Sequence, residues 1–262
     1  MRNTKIEWCT MSWNPVTGCL HGCQYCYARR IANRFASKDP AAVIETANCN
    51  SIHVVPELNR YKGKVEPYPF GFQPTFHSYR LEEPARTKKP QVIFVCSMAD
   101  LFGRWVPDEW IVEVFNACLA APQHKYLFLT KNPDRYDELI DKGLIRAEYK
   151  NFWLGSTVPD MTTRAHWNAR NHTFWSCEPL MGPWLHGSLN MDNAKYSKYF
   201  PEWVILGAET GNRKGKVIPT KKWIEDIVKD CRLMGAKVFM KDSLVPIVGE
   251  EAMLREFPEG LR

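Results

Sequence analysis

Apolar residues in this chain come in short, nearly continuous runs rather than in strict alternation. The runs are Val92-Ile93-Phe94-Val95-Cys96, Tyr126-Leu127-Phe128-Leu129-Thr130, Phe152-Trp153-Leu154-Gly155, Thr173-Phe174-Trp175-Ser176-Cys177, Trp203-Val204-Ile205-Leu206-Gly207 and Lys237-Val238-Phe239-Met240. They are rich in β-branched and aromatic residues, and strands buried on both faces, as in parallel sheets, read this way. Helix punctuation fills the gaps. Pro107-Asp108-Glu109 opens a stretch with apolar residues at Trp110, Ile111, Val114, Phe115 and Cys118, and Pro122 follows its end. Asn132-Pro133 reads as a helix start and Lys142-Gly143 as the matching stop. Thr220 is placed to cap a helix burying Trp223, Ile224, Ile227, Val228 and Cys231, with Gly235 at its exit.

Strands alternating with such helices predict βαβ units and a parallel sheet. A first strand is expected within residues 10–17, followed by a helix over residues 27–36. The expected fold is α/β, a partial or nearly complete (β/α) barrel of about six to seven parallel strands. An open doubly wound sheet is the alternative that periodicity leaves standing. Residues 38–90 break the rhythm, with seven prolines and scattered aromatics such as Tyr61, Phe70 and Tyr79. One domain over residues 1–262 is expected, with a loop-rich insertion at about 38–90 packing over the barrel mouth. A second irregular stretch begins at Glu178 and ends near Trp203, and the tail from Ser243 offers no motif.

At 262 residues the chain is long enough for a sizeable core, and its 45% hydrophobic and 24% charged content is that of a soluble globular protein. No apolar run approaches the ~18 residues of a membrane span, and the first residues lack a signal peptide's apolar stretch. A cytoplasmic protein with no membrane partner is expected. Nine cysteines, an odd number in a chain this large, point to reduced thiols rather than to a disulfide framework. The net charge of +6 suits an anionic partner such as a nucleic acid or nucleotide, although acidic residues are interspersed throughout.

In α/β barrels the chemistry sits at the carboxyl ends of the strands. Here those ends carry Ser97 and Asp100, Thr130 and Lys131, Ser156 and Thr157, Cys177 and Glu178, Glu209, and Lys241 with Asp242. Glu178 and Lys131, charged groups tight against buried strands, need partners. Glu209 lies in a Gly-Ala-Glu-Thr-Gly turn where its carboxylate is placed to accept from an amine or a ribose. Cys96 and Cys177 end strands; a thiol facing a cavity suits hydrogen-atom donation, and a small buried filler is the other reading.

Ahead of these strands, Cys19, Cys23 and Cys26 are spaced by three and two residues. Three soft thiolates in one short loop suit an iron–sulfur cluster with one iron left open, or zinc. Structural zinc wants a fourth ligand, for which Cys9 and His21 are the candidates. Tyr25, just before the third cysteine, suits packing against an adenine or shielding a cluster from water.

The triplet with Tyr25 resembles the radical S-adenosylmethionine (SAM) superfamily. More closely, Lys5-Ile6-Glu7-Trp8, Trp13-Asn14-Pro15-Val16-Thr17-Gly18-Cys19, Cys96-Ser97-Met98-Ala99-Asp100-Leu101-Phe102, Leu129-Thr130-Lys131-Asn132-Pro133, Ser176-Cys177-Glu178-Pro179-Leu180 and Gly207-Ala208-Glu209-Thr210-Gly211 resemble a phage- and prophage-borne group of three-cysteine proteins of uncharacterised activity. The superfamily resemblance implies a [4Fe–4S] cluster on Cys19, Cys23 and Cys26, SAM bound at the open iron, and a reductant protein of flavodoxin or ferredoxin type. It implies reductive cleavage of SAM and hydrogen abstraction from a substrate, with nucleobases, nucleosides or nucleic acid as the expected class and a small metabolite or peptide as the alternative. A non-catalytic zinc- or cluster-stabilised nucleic-acid-binding protein is the alternative from another class. Where the superfamily has a Gly-Gly-Glu type motif contacting the SAM amine, this chain has Ser97-Met98-Ala99-Asp100, so Ser97 and Asp100 inherit that candidacy. Ser156, Thr157, Glu178 and Glu209 are candidates for ribose and carboxylate contacts, and Lys131 for the SAM carboxylate or a substrate phosphate.

Overall fold

All six apolar runs are strands in the computed structural model, which describes residues 1–49, 51–160, 163, 171–183 and 200–262. These residues divide into two compact units, Met1–Arg146 and Ala147–Arg262.

The first unit opens with β1 (Arg2–Asn3), β2 (Met11–Trp13) and β3 (Val16–Thr17), then helix α1 (Tyr27–Arg34). The segment expected to be one strand is two. Asn14-Pro15 interrupts it, because proline has no N–H to give a ladder. β2 stays in the main sheet and β3 leaves for another. Next come β4 (Ala47–Cys49), β5 (Ile52–Val55), β6 (Arg60–Tyr61), β7 (Lys64–Val65), β8 (Thr75–His77) and the single-turn α2 (Glu83–Arg86). β9 (Val92–Val95), α3 (Asp108–Leu119), β10 (Lys125–Thr130) and α4 (Asp134–Asp141) complete the unit.

β2, β9 and β10 are parallel neighbours, with β1 antiparallel on the edge of β2. α3 is the crossover between β9 and β10, and it buries the apolar face that the sequence marks: Trp110, Ile111, Val114, Phe115 and Cys118. Phe115 stacks on Phe128 of β10 at 4.8 Å, and Phe102 meets Tyr136 of α4 at 4.4 Å. Residues 38–90 hold more order than their prolines suggest. β4, β5 and β8 form a small sheet with β3, in the order β3-β8-β5-β4, and β6 pairs with β7 as a hairpin.

The second unit is a run of parallel neighbours: β11 (Phe152–Thr157), β12 (His172–Cys177), β13 (Trp203–Leu206) and β14 (Lys237–Met240). Helix α5 (Lys221–Met234) connects the last two strands. Thr220 Oγ1 accepts from the Trp223 N–H, and Gly235 ends the helix at φ 76°, the left-handed conformation that glycine adopts freely. Ile224, Ile227 and Cys231 of α5 pack with Cys177, Val204, Leu206, Val238 and Met240 of the strands. Each large aliphatic side chain buried there contributes about 1.5–3 kcal/mol. Most of the irregular stretch after Glu178, together with Trp167 and Trp184, lies outside the described residues. No helix among the described residues is long and apolar enough to cross a membrane.

Candidate metal and cofactor site

The cysteine loop is held at the carboxyl ends of β2 and β9. The Gly18 N–H donates to the Met98 carbonyl at 2.9 Å, and the Cys19 N–H donates to the Phe72 carbonyl at 3.2 Å. Gly18 has φ 87°, and a Cβ there would stand 2.1 Å from the Gln73 carbonyl oxygen. Only glycine satisfies both conditions. At the other end of the loop Cys26 caps α1, its sulfur accepting from the Arg29 N–H at 3.4 Å. Ala28 and Ala32 then pack α1 onto Met98.

Each cysteine of the loop is a free, half-buried thiol. Burial pushes the Cys19 thiol up to about 12; the His21 backbone hydrogen bond pulls it down, and Asp100, Cys23 and Cys26 add to the rise. The thiols therefore lie within one another's electrostatic range. Among the described residues no three His, Cys, Asp or Glu side chains are already gathered for a metal ion. The donor chemistry nevertheless suits an iron–sulfur cluster, since three soft sulfurs within eight residues leave a fourth position to an outside ligand.

Cys9 is not placed to be a fourth ligand. Its neighbour Thr10 pairs with Val92 at the start of β9, whereas the loop is tied to Met98 beyond the strand's end. Those two levels are separated by roughly 10 Å of strand. The Cys9 thiol is buried and donates to the Ile6 carbonyl. His21 is placed differently. Its Nε2 donates to Asp100 Oδ2 at 2.7 Å, its ring meets Trp105 edge-on at 4.9 Å, and Nδ1 is left as the ring's acceptor.

Asp100 organises the site. Oδ1 accepts from Thr130 Oγ1 at 2.7 Å and from the Phe102 N–H at 3.1 Å; Oδ2 accepts from the Lys131 N–H at 2.9 Å and from His21. A carboxylate has about four lone-pair sites, so this buried one is filled by the chain's own donors. Its place is therefore that of a tie between the cysteine loop and the end of β10. Ser97 Oγ donates to Asn14 Oδ1 at 3.1 Å, and the Met98 N–H donates to the same oxygen at 2.9 Å. Lys131 Nζ donates to the Tyr25 phenol oxygen at 3.0 Å and lies 5.4 Å from that ring's centre. An ammonium has three donors, so Lys131 keeps capacity for an anion.

Seven expected site residues thus share the neighbourhood of the cysteine loop: Cys19, Cys23, Cys26, Tyr25, Ser97, Asp100 and Lys131. The other candidates belong to the second unit. Ser156 and Thr157 are buried at the end of β11. Glu178 pairs with Lys241, and Glu209 is held by Arg213 through bonds of 2.6 and 2.7 Å. Cys177 is fully buried in the apolar cluster that contains Cys231, and burial raises its thiol well above the ordinary range. Sequence reasoning gave Asn14, Trp105 and Arg213 no role. Asn14 had a detectable signal, as a polar residue before a strand-breaking proline; the partnership of Arg213 with Glu209 had only its four-residue spacing.

The fold and loop define a mixed α/β protein with a three-thiol loop at the carboxyl ends of parallel strands. The chain belongs to a family described as protein of unknown function (DUF5131), which it matches over residues 3–244. No curated protein matches it, and neither does any solved structure.

Proposed function

We propose that this protein is a radical SAM enzyme that binds a [4Fe–4S] cluster through Cys19, Cys23 and Cys26, on strands belonging to a (β/α) barrel of that superfamily. The observation that carries the reading is the position of the three-thiol loop. It sits at the carboxyl ends of β2 and β9, against Ser97, Asp100 and the half-buried Lys131. When bound, the cluster supplies the electron that cleaves SAM into methionine and a 5′-deoxyadenosyl radical. Lys131 orients a carboxylate or phosphate with its remaining donors, and Tyr25 covers the loop from water. Asp100 fixes the loop's angle through His21. Cys177 is fully buried in the core of the second unit. Nucleobases, nucleosides or nucleic acid are the favoured substrates, supported by the net charge of +6, with a small metabolite or peptide next.

A specific observation favours a second reading. A carboxylate bonded to one imidazole nitrogen is the usual outer shell of a histidine that ligates zinc through the other. Asp100 and His21 stand in that relation. The second reading is a zinc-stabilised nucleic-acid-binding protein with Cys19, Cys23, Cys26 and His21 as ligands.

Anaerobic purification and metal analysis separate the two. A radical SAM enzyme is brown, holds about four irons per chain and forms 5′-deoxyadenosine from SAM and dithionite. Cys23→Ala abolishes that product, whereas His21→Ala leaves iron bound. Colourless protein with one zinc, lost in His21→Ala, would establish the zinc reading instead.

A further inference from the structure

The loop after β13 concentrates positive charge: residues 210–224 hold five lysines and arginines and no acidic residue. Lys221 and Lys222, at the start of α5, pair with Glu225 and Asp226 one turn on. The other three, Arg213, Lys214 and Lys216, lie within a single turn. The Lys216 N–H donates to the Arg213 carbonyl at 3.4 Å, and Gly215 takes the left-handed third position at φ 74°. A turn of this kind holds its end Cα atoms within about 7 Å, so Arg213 and Lys216 stand side by side with Lys214 at the corner.

One carboxylate faces this group. The Glu209 side chain is only 3% exposed, and it accepts from Arg213 Nε at 2.6 Å and from Nη2 at 2.7 Å. The two bonds fix the plane of the guanidinium and leave both Nη1 protons without a partner among the described residues. Lys216 gives one donor to the Gly211 carbonyl at 3.1 Å and keeps two. Lys214 is exposed and has no ion pair among the described residues. Three cations against one carboxylate repel one another, and an anion relieves that repulsion. The planar fork of an arginine matches the oxygens of a phosphate. Free nucleotides take concave sites that enclose them, whereas exposed cations on a fixed framework suit a strand's backbone. Thr210, Gly211, Asn212, Lys214 and Lys216 are all exposed.

We infer that the turn Arg213–Lys216 grips the sugar–phosphate backbone of a single-stranded nucleic acid, with Arg213 on one phosphate and the two lysines on its neighbours. The inference deepens the nucleic-acid part of the proposed function and rests on it. The strand is single because a base that is to be modified must lie outside the duplex stack. These contacts position the strand and carry no sequence information.

The test titrates anaerobically reconstituted protein with a single-stranded oligonucleotide at several salt concentrations. The variants are Lys214→Ala/Lys216→Ala and Arg213→Lys, with Lys88→Ala/Lys89→Ala as a control that removes the same charge at other exposed lysines. In Lys214→Ala/Lys216→Ala the log–log salt slope should become shallower by about 1.4, two contacts at about 0.7 each. The control should keep the wild-type slope. Arg213→Lys leaves Glu209 a cation and keeps the slope, but loses the fork and should bind at least about tenfold more weakly. Equal slopes in the wild type and Lys214→Ala/Lys216→Ala would strike out the turn and leave the nucleic-acid class standing. An equal change in the control would overturn the turn's role too. So would wild-type protein that binds a 5′-mononucleotide as tightly as the oligonucleotide, or that binds no oligonucleotide at low salt. Formation of 5′-deoxyadenosine with dithionite judges the radical SAM reading separately, because the slopes are measured without turnover.

Discussion

Asp100 is the residue on which the geometry of the cysteine loop depends most. Its four acceptor bonds come from three places: the loop, its own turn, and the end of β10. Asp100→Asn keeps the shape but replaces one acceptor oxygen by an NH2 group that faces donors. Leaving buried donors unpaired costs about 2–4 kcal/mol. Denaturant unfolding should show that loss, and hydrogen exchange over residues 18–26 should accelerate more than over β13 and β14. Gly18→Ala should be as damaging, because its Cβ would meet the Gln73 carbonyl at 2.1 Å in a left-handed backbone. Unchanged exchange in the loop of either variant would show that it is fixed from elsewhere. Legibility at this scale was uneven for a physical reason. Cysteine spacing is local, so the triplet was readable at once. The part played by Asp100 depends on His21, Thr130 and Lys131, which are far apart in sequence and meet only through the sheet.

Elements were legible where burial on both faces leaves a continuous apolar run, and helix ends where capping chemistry is local, as at Thr220 and Gly235. The short strands β4 to β8 were not legible, because two to four residues are too few to establish a period. The tail was unreadable for a similar reason, yet it holds a staple. Glu256 accepts from Arg232 of α5 at 2.7 Å on both oxygens and from the Val238 N–H of β14 at 2.9 Å. The hydrogen bond with Arg232 comes first among the causes that hold its carboxyl below the ordinary 4.5, ahead of the Val238 N–H. A depressed carboxylate contributes stability that is complete above its unfolded value and is lost as pH falls through the lower folded value. Acid should therefore loosen the joint between α5 and β14 as pH drops below about 4.5. Hydrogen exchange in residues 237–240 should rise over that interval in the wild type and show a flatter pH dependence in Glu256→Gln. Identical pH profiles would remove Glu256 from the account.

For the whole molecule, 35 basic residues against 29 acidic ones leave an excess of six, and the size of that excess bounds what it can do. Counterion release makes the affinity for a single strand fall with salt at a log–log slope of about −0.7 per phosphate contacted. So modest an excess does not suit an extended track along a polymer, but it suffices for a short one of about three to six phosphates, which sets a slope of about −2 to −4. Titrating the anaerobic, reconstituted protein with a single-stranded oligonucleotide at several salt concentrations reads that slope directly. A value in this interval, with 5′-deoxyadenosine formation increased by the oligonucleotide, places the substrate among nucleic acids. No binding even at low salt assigns the positive charge to solubility and makes a small metabolite or peptide the substrate. Binding at the expected slope with no 5′-deoxyadenosine formed, with or without the oligonucleotide, favours the zinc-stabilised binding protein, since the surface would then act without the chemistry.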